Sequence, residues 1–463
     1  MMESPYQDLD RYQDVLGQLP ILQAYTQGVY FFPLADGVTH GQVVSDVDRA
    51  ITKVRTELPW MGGRVINVGR GPGDSGMYRV AACSSPPPAL VAVDVSSIFP
   101  SYSEFQSRKA PLSLIQNGQV LTTVPGYPHK VDVDSEEDPA LVVRVQVNFV
   151  TGGVLLSLST QHNTADAGGF FVLVQALAMA MRGETFPSAF LEAVNRDRRN
   201  AVPLLGPNDK PPLDHSNQLR PPVTAANPLA VAPLSSPAHN HIIRFTPAAM
   251  AHIKALASAA DGFDPSVRFI STDDAICAFY WQRLTRARAN RIPPGTKQAR
   301  FTRQMDGRAL VGLPPDYPGV VSHTAICALP VSTLLEAPLS TVASAMRKAL
   351  NEANNAHHLR SAATFIANTK DKSTITYTGK FDPQVDVGSS SWRSFGSAAA
   401  FPEFGVLGKP EFLRRPPTLP FAGTIMLFPA ADGSCDANAC LTDEDLEALR
   451  GDLEWEAVVE YIG

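Results

Sequence analysis

Between Val202 and Pro237 the chain carries Pro203, Pro207, Pro211, Pro212, Pro221, Pro222, Pro228, Pro233 and Pro237, with little hydrophobic periodicity. Proline fixes φ and has no N–H to donate, so neither a helix nor a central strand runs easily through such a stretch. A connector in the middle of 463 residues leaves two flanking segments, each long enough to bury a core of its own. The expectation is two domains of similar size, 1–202 and 241–463, joined by an extended crossover at 203–240.

Hydrophobic residues make up 44% and charged residues 18%, with a net charge of -6, which fits a soluble, moderately acidic globular protein. The basic residues are dispersed, apart from pairs such as Arg286 with Arg288 and Arg414 with Arg415, so a nucleic-acid partner is not expected. The apolar run around Val172 is too short to span a bilayer, and Met1–Asp8 lacks the basic and apolar regions of a secretory signal. Five cysteines are too sparse and odd in number for a disulfide framework, which points to reduced thiols and a cytoplasmic location. Cys435 and Cys440 have no neighbouring histidine, so no metal site is expected.

Val43, Val44, Val47, Ile51, Val54 and Leu58 recur at helical spacing up to Pro59. Gly69 to Gly76 is glycine-rich, but it lacks the Lys-Ser/Thr ending of a phosphate-binding loop, and a hairpin loop is expected instead. Val143, Val145, Val147 and Phe149 alternate with polar residues as in a half-buried strand, and Val154–Ser159 reads as its return partner after a Gly152 Gly153 turn. Phe170–Met181 is nearly continuous apolar sequence and predicts a buried helix ending near Gly183. Beyond the crossover the pattern predicts strands at Ile242–Phe245 and Val267–Ile270, with a helix over Pro247–Leu256 between them. Ser271 or Thr272, followed by Asp273 and Asp274, supplies cap chemistry for a helix through Phe279, Trp281 and Leu284, and Thr442 with Asp445 opens a last helix.

Chemistry is expected where the central hairpin ends, in Gln161 His162 Asn163 Thr164 Ala165 Asp166 Ala167 Gly168 Gly169. Loops carried by a rigid sheet are where functional groups concentrate, and an imidazole can both take and return a proton near neutral pH. Alone, a histidine, three residues and an aspartate arise readily by chance. Gly168 and Gly169 suggest a sharp turn ahead of the helix.

Joint agreement with one family removes that ambiguity. Leu16–Pro20, Tyr25 Thr26 Gln27, Pro59 Trp60, the His162 to Asp166 motif, Ser271–Ala275, Asp306 Gly307 Arg308, Tyr317 Pro318 Gly319, Ser390 Ser391 Trp392, Phe404–Pro410 and Glu454 Trp455 to Gly463 all match. On these pieces the chain resembles the BAHD-type coenzyme A dependent acyltransferases, in the fungal trichothecene 3-O-acetyltransferase branch. The resemblance implies an α/β fold of two similar-sized chloramphenicol-acetyltransferase-like domains with mixed sheets and an active-site channel between them. It implies a monomer with no permanently bound cofactor, using acetyl-CoA or another acyl-CoA as co-substrate and a small hydroxylated metabolite as acceptor. No nucleic-acid or membrane partner is implied.

Within that resemblance His162 is the general base for direct attack of a hydroxyl on the thioester. Asp166, rather than completing a triad, would turn away and pair with an arginine, for which Arg286 and Arg288 are the candidates. Gly169 belongs to the same structural motif. Ser390, Ser391 and Trp392 are expected near the oxyanion or the co-substrate, and Lys409, Arg414 and Arg415 near the nucleotide phosphates or on solvated surface. The family's second motif, Asp Phe Gly, stands here as Glu403 Phe404 Gly405; Glu403 is expected to reach an arginine, with Gly405 and Gly408 packing closely. Two alternatives remain: a condensation-type enzyme using an amine or carrier-bound substrate, against which Gln161 stands where a second histidine is needed, and a catalytically altered binder.

Overall fold

The alternation of Val143, Val145, Val147 and Phe149 with polar residues produces the strand Val143–Val150, which returns as Gly153–Gln161 through a turn with Gly152 at φ +76°. The computed structural model describes residues 8–84, 87–220, 234, 236–417 and 419–463. Residues 1–7 and Pro221, Pro222, Pro228 and Pro233 of the crossover lie outside them.

The hairpin is the centre of a mixed five-stranded sheet in the order Phe412–Arg414, Tyr25–Pro33, Gly153–Gln161, Val143–Val150, Leu90–Asp94. Helix His40–Glu57, capped by the Thr39 hydroxyl, packs its valine stripe against helix Ala167–Met181 over this sheet. Almost every side of the second helix is buried, as its uniform apolar sequence requires. Gly69–Gly76 is the loop between the paired strands Arg64–Val68 and Met77–Ala81, with Gly71 and Asp74 bridged across it.

A seven-stranded mixed sheet forms the other half, in the order Glu460–Tyr461, Ala238–Phe245, Cys435–Thr442, Thr424–Pro429, Val387–Ser391, Gln298–Asp306, Ser322–Pro330. One face, with Phe301, Ile425, Leu427, Ala437 and Ala439, packs on helices Pro247–Ala257, Thr272–Ala287 and Leu339–Ala353. Ser271 and Asp274 make a reciprocal capping box at the start of Thr272–Ala287, and Thr442 and Asp445 make another at Asp443–Arg450.

Two differences from the sequence expectation concern short apolar segments. Val267–Ile270 is not a strand: Val267 N–H closes a turn on Asp264 O, Phe269 stays 60% exposed, and the segment runs directly into the Ser271 cap. Conversely, Phe412–Arg414 leaves the C-terminal half to pair with Tyr25–Pro33, while Trp392, Ala400, Phe404 and Leu407 join the N-terminal core. The two halves are therefore interlocked by chain from both sides of the crossover. No helix among the described residues is long and apolar enough to cross a membrane.

Candidate active site

Strand register places His162. Tyr25 pairs with Gln161, so the chain leaves the sheet one residue later, with His162 N–H donating to Ala24 O at 2.8 Å. The next turn is rigid: Asn163 N–H donates to Gln161 Oε1 at 2.7 Å, Asn163 Nδ2 to Gly17 O at 2.6 Å and Thr164 Oγ1 to Gln161 O at 2.8 Å. His162 Nδ1 lies 3.1 Å from Ala165 O. A carbonyl only accepts, so the proton of the neutral ring sits on Nδ1 and the lone pair on Nε2. Burial holds the proton affinity of this half-buried imidazole below its ordinary value of 6.5; the Asp166 carboxylate opposes that shift and Arg415 adds to it.

His162 is in the wall of a cavity of about 280 Å³ between the two halves. Thr26 and Tyr127 face it from the N-terminal side, and the Tyr127 ring meets the imidazole edge-on at 6.0 Å between centroids. The seven-stranded sheet contributes its polar face, with Thr302, Gln304, Ser390, Thr424 and Asn438 in the lining, opposite the apolar face buried in the core. Thr302 Oγ1, Tyr377 Oη, Asn438 Oδ1 and the Nε atoms of Arg220 and Arg415 are buried against the cavity with no partner among the described residues. Such atoms are costly unless a ligand or water meets them.

Asp166 has a different job. It caps helix Ala167–Met181 by accepting from Gly169 N–H at 3.2 Å, and Arg308 Nη2 and Nη1 reach its two oxygens at 2.6 and 3.2 Å. Val321 N–H at 3.0 Å and Ser322 Oγ at 3.2 Å complete its shell. Burial alone would raise its pKa, but Arg308 and these donors together hold it low, as a carboxylate. Arg308 also donates to Tyr317 O at 2.7 Å and Gly319 O at 2.9 Å. A Cβ on Gly168 would come within 2.6 Å of the Arg308 guanidinium, and one on Gly169 within 2.0 Å of Pro318 O. The glycine pair is thus there for close approach inside the helix rather than for a sharp turn.

Neither Arg286 nor Arg288 pairs with Asp166. Arg286 Nε donates to Leu335 O at 3.1 Å, while Arg288 is bound at 2.6 Å to Asp445 on the far side of its helix end. Ser390 and Trp392 line the cavity, and Trp392 is wedged at 5.1 Å from both Phe170 and Phe428. Ser391 turns away to Asp273, at 2.7 Å. Arg414 is not available for phosphates, because it is buried against Asp436 at 2.9 Å and donates to Ala110 O. Lys409 is exposed outside the lining, whereas Arg415 faces it. Glu403 is exposed, and its contact with an arginine is made by its backbone oxygen, which accepts from Arg182. Gly405, at φ +54°, lies where a Cβ would approach Met181 O to 2.7 Å; Gly408 has open space but φ +68°.

Arg308, Tyr377 and Arg220 are among the site residues that the sequence did not single out for a role. For Arg308 the signal was the Asp306 Gly307 Arg308 stretch itself; Tyr377 and Arg220 follow no motif.

Comparison with known proteins extends these observations. Residues 24–181 match the trichothecene 3-O-acetyltransferase-like N-terminal domain, and residues 121–455 match the Transferase family. The O-acetyltransferase epaC of Aspergillus niger is 47% identical over 461 residues, covering 99% of this chain and 98% of that protein. The O-acyltransferase pigD of Monascus ruber is 41% identical over 464 residues, covering 99% and 100%. The crystal structure of F. graminearum TRI101 complexed with coenzyme A and deoxynivalenol superposes with a TM-score of 0.85 at 28% identity, covering 97% of this chain and 99% of that one.

Proposed function

Because the chain belongs to the Transferase family of BAHD-type acyltransferases, in its trichothecene 3-O-acetyltransferase-like branch, we propose that it moves an acyl group, acetyl in the first instance, from coenzyme A to a hydroxyl of a fungal secondary metabolite such as a trichothecene-like terpenoid. His162 is the general base. The domains 1–202 and 241–463 supply most of the cavity wall, the linker 203–240 adds Arg220 to it, and the enzyme acts as a cytoplasmic monomer.

The reaction follows from what the cavity holds. The acceptor hydroxyl gives its proton to His162 Nε2 as its oxygen attacks the thioester carbonyl. The C–O bond forms, the carbonyl becomes a tetrahedral oxyanion, and collapse of that oxyanion breaks the C–S bond. The imidazolium then returns the proton to the departing sulfur, leaving ester and free thiol. Holding both substrates in one cavity makes an acyl-enzyme unnecessary. Asp166 acts at a distance, as the anchor that keeps the His162 loop and helix Ala167–Met181 against the C-terminal half.

The observation that carries the proposal is the bond from His162 Nδ1 to Ala165 O in a cavity wall with unsatisfied polar atoms. Its test is incubation with acetyl-CoA and a panel of hydroxylated fungal terpenoids and polyketides, following acetylated product and free thiol together. Product and thiol in equal amounts, both lost in His162→Ala, are expected. Equal release by wild type and His162→Ala overturns the role of His162.

A further inference from the structure

The charges in the cavity do not balance. Among the described residues Asp166 is the only acidic side chain in its lining, and Arg308 already answers it. Lys130, Arg220 and Arg415 line the same space, and no carboxylate among the described residues lies within ion-pair distance of any of them. Lys130 is exposed at the rim, but the two arginines are not solvated in that way.

Arg220 is 9% exposed, and among the described residues its guanidinium makes one long bond, Nη2 to Ser373 O at 3.4 Å, with Nε buried and unpartnered. Arg415 Nη1 is 3.4 Å from the Met426 sulfur, its guanidinium is 5.9 Å from the centre of the Trp392 ring, and its Nε is likewise orphaned. Both act electrostatically on Tyr127, whose ring touches His162, and Arg415 acts on His162 itself. A desolvated guanidinium is stabilised best by a carboxylate-like group that takes two parallel hydrogen bonds. Buried arginines elsewhere among the described residues have one: Arg308 has Asp166, Arg288 has Asp445, and Arg414 has Asp436.

We propose that the missing partner arrives with the acceptor: a carboxylate close to the hydroxyl that is acylated, received by Arg415 and Arg220. This rests on the acyltransferase function above and narrows its acceptor from hydroxylated metabolites in general to those that also carry an acid. The phosphates of coenzyme A are the other source of anionic oxygen. They are separated from the thioester by the whole pantetheine arm, however, whereas Arg415 is within electrostatic reach of the base. An anion on Arg415 also removes the charge that opposes protonation of His162, so the base strengthens as the acceptor binds.

The test is calorimetric binding of mandelate and methyl mandelate, a hydroxy acid and its neutral ester, to the resting enzyme without donor. Wild type is expected to prefer the acid by about tenfold. Arg415→Gln and Arg220→Gln each erase most of that preference, and Arg415→Lys, which keeps the charge, retains part of it. Equal binding of acid and ester by wild type, or a preference untouched by both glutamine variants, overturns the proposal. So does an Arg415→Gln protein that loses affinity for coenzyme A but not for mandelate, which would assign the guanidinium to phosphate. Since no acyl transfer is measured, the outcome is independent of the thiol-release experiment.

Discussion

Arg308 Nη2 stands 2.6 Å from Asp166 Oδ1, across 142 residues of sequence and from the opposite half of the molecule. The aspartate of the motif is therefore committed to holding the halves together, and His162 is oriented by the Ala165 carbonyl instead. Breaking one side of a buried pair leaves the other charge unanswered, a loss of about 3–5 kcal/mol. Asp166→Asn and Arg308→Met should each lower the denaturant midpoint, and the double variant should lose less than the sum of the two. A double-mutant cycle measures that coupling; additive losses would show that the pair does not act as a unit.

Gly169→Ala puts a methyl group 2.0 Å from Pro318 O, a backbone atom that cannot move aside alone. The expected destabilisation is about 1–3 kcal/mol, with activity falling in parallel because the same contact seats the His162 loop. Chemical unfolding and the acetyl-CoA assay on one preparation check both.

What the sequence revealed and what it withheld follow from range. His162 could be located because a strand hairpin and a uniformly apolar helix bracket it, and both are local patterns. The partner of Asp166 could not be read from spacing: Arg286, Arg288 and Arg308 carry the same side chain, and only the tertiary fold brings one of the three to the carboxylate. Gly168 and Gly169 held part of the answer, since two glycines at a helix start also fit a bulky neighbour. Phe412–Arg414 is too short to show a strand period, and its pairing with Tyr25–Pro33 rests on non-local contacts alone.

Removing an unanswered buried charge should help the free protein. Burial pushes the Arg415 guanidinium down to about 10, with only Tyr127 opposing the shift. Arg415→Met is expected to raise the thermal midpoint of the unliganded enzyme by about 1–2 °C. A fall would mean that Arg415 has a partner that stabilises it in the resting state.

Buried neutral histidines tie stability to pH. Burial lowers His215 to about 4 and His323 to about 3, and these rings cluster with His358, His323 Nδ1 lying 3.3 Å from His358 Nδ1. An unfolded imidazole takes up its proton below 6.5 while these do not, so their contribution is full above that value and is lost as pH falls toward 4 and 3. Asp14, raised by burial from 3.8 to about 6, acts in the opposite sense between those values, while His241, which burial also lowers to about 4, adds to the histidine side. Urea midpoints should therefore fall between about pH 7 and about pH 5, and His215→Gln should flatten the slope.

Whether His162 takes the acceptor's proton is read from the acid limb of kcat/KM for acyl transfer. With the lone pair of His162 Nε2 as the base and its ring half-buried, the rate should hold level through neutral pH and fall only below the ordinary imidazole value of 6.5. In His162→Ala the limb should vanish, along with about 10²–10⁴ of the rate. A profile with the same limb and a comparable rate in His162→Ala would contradict the account.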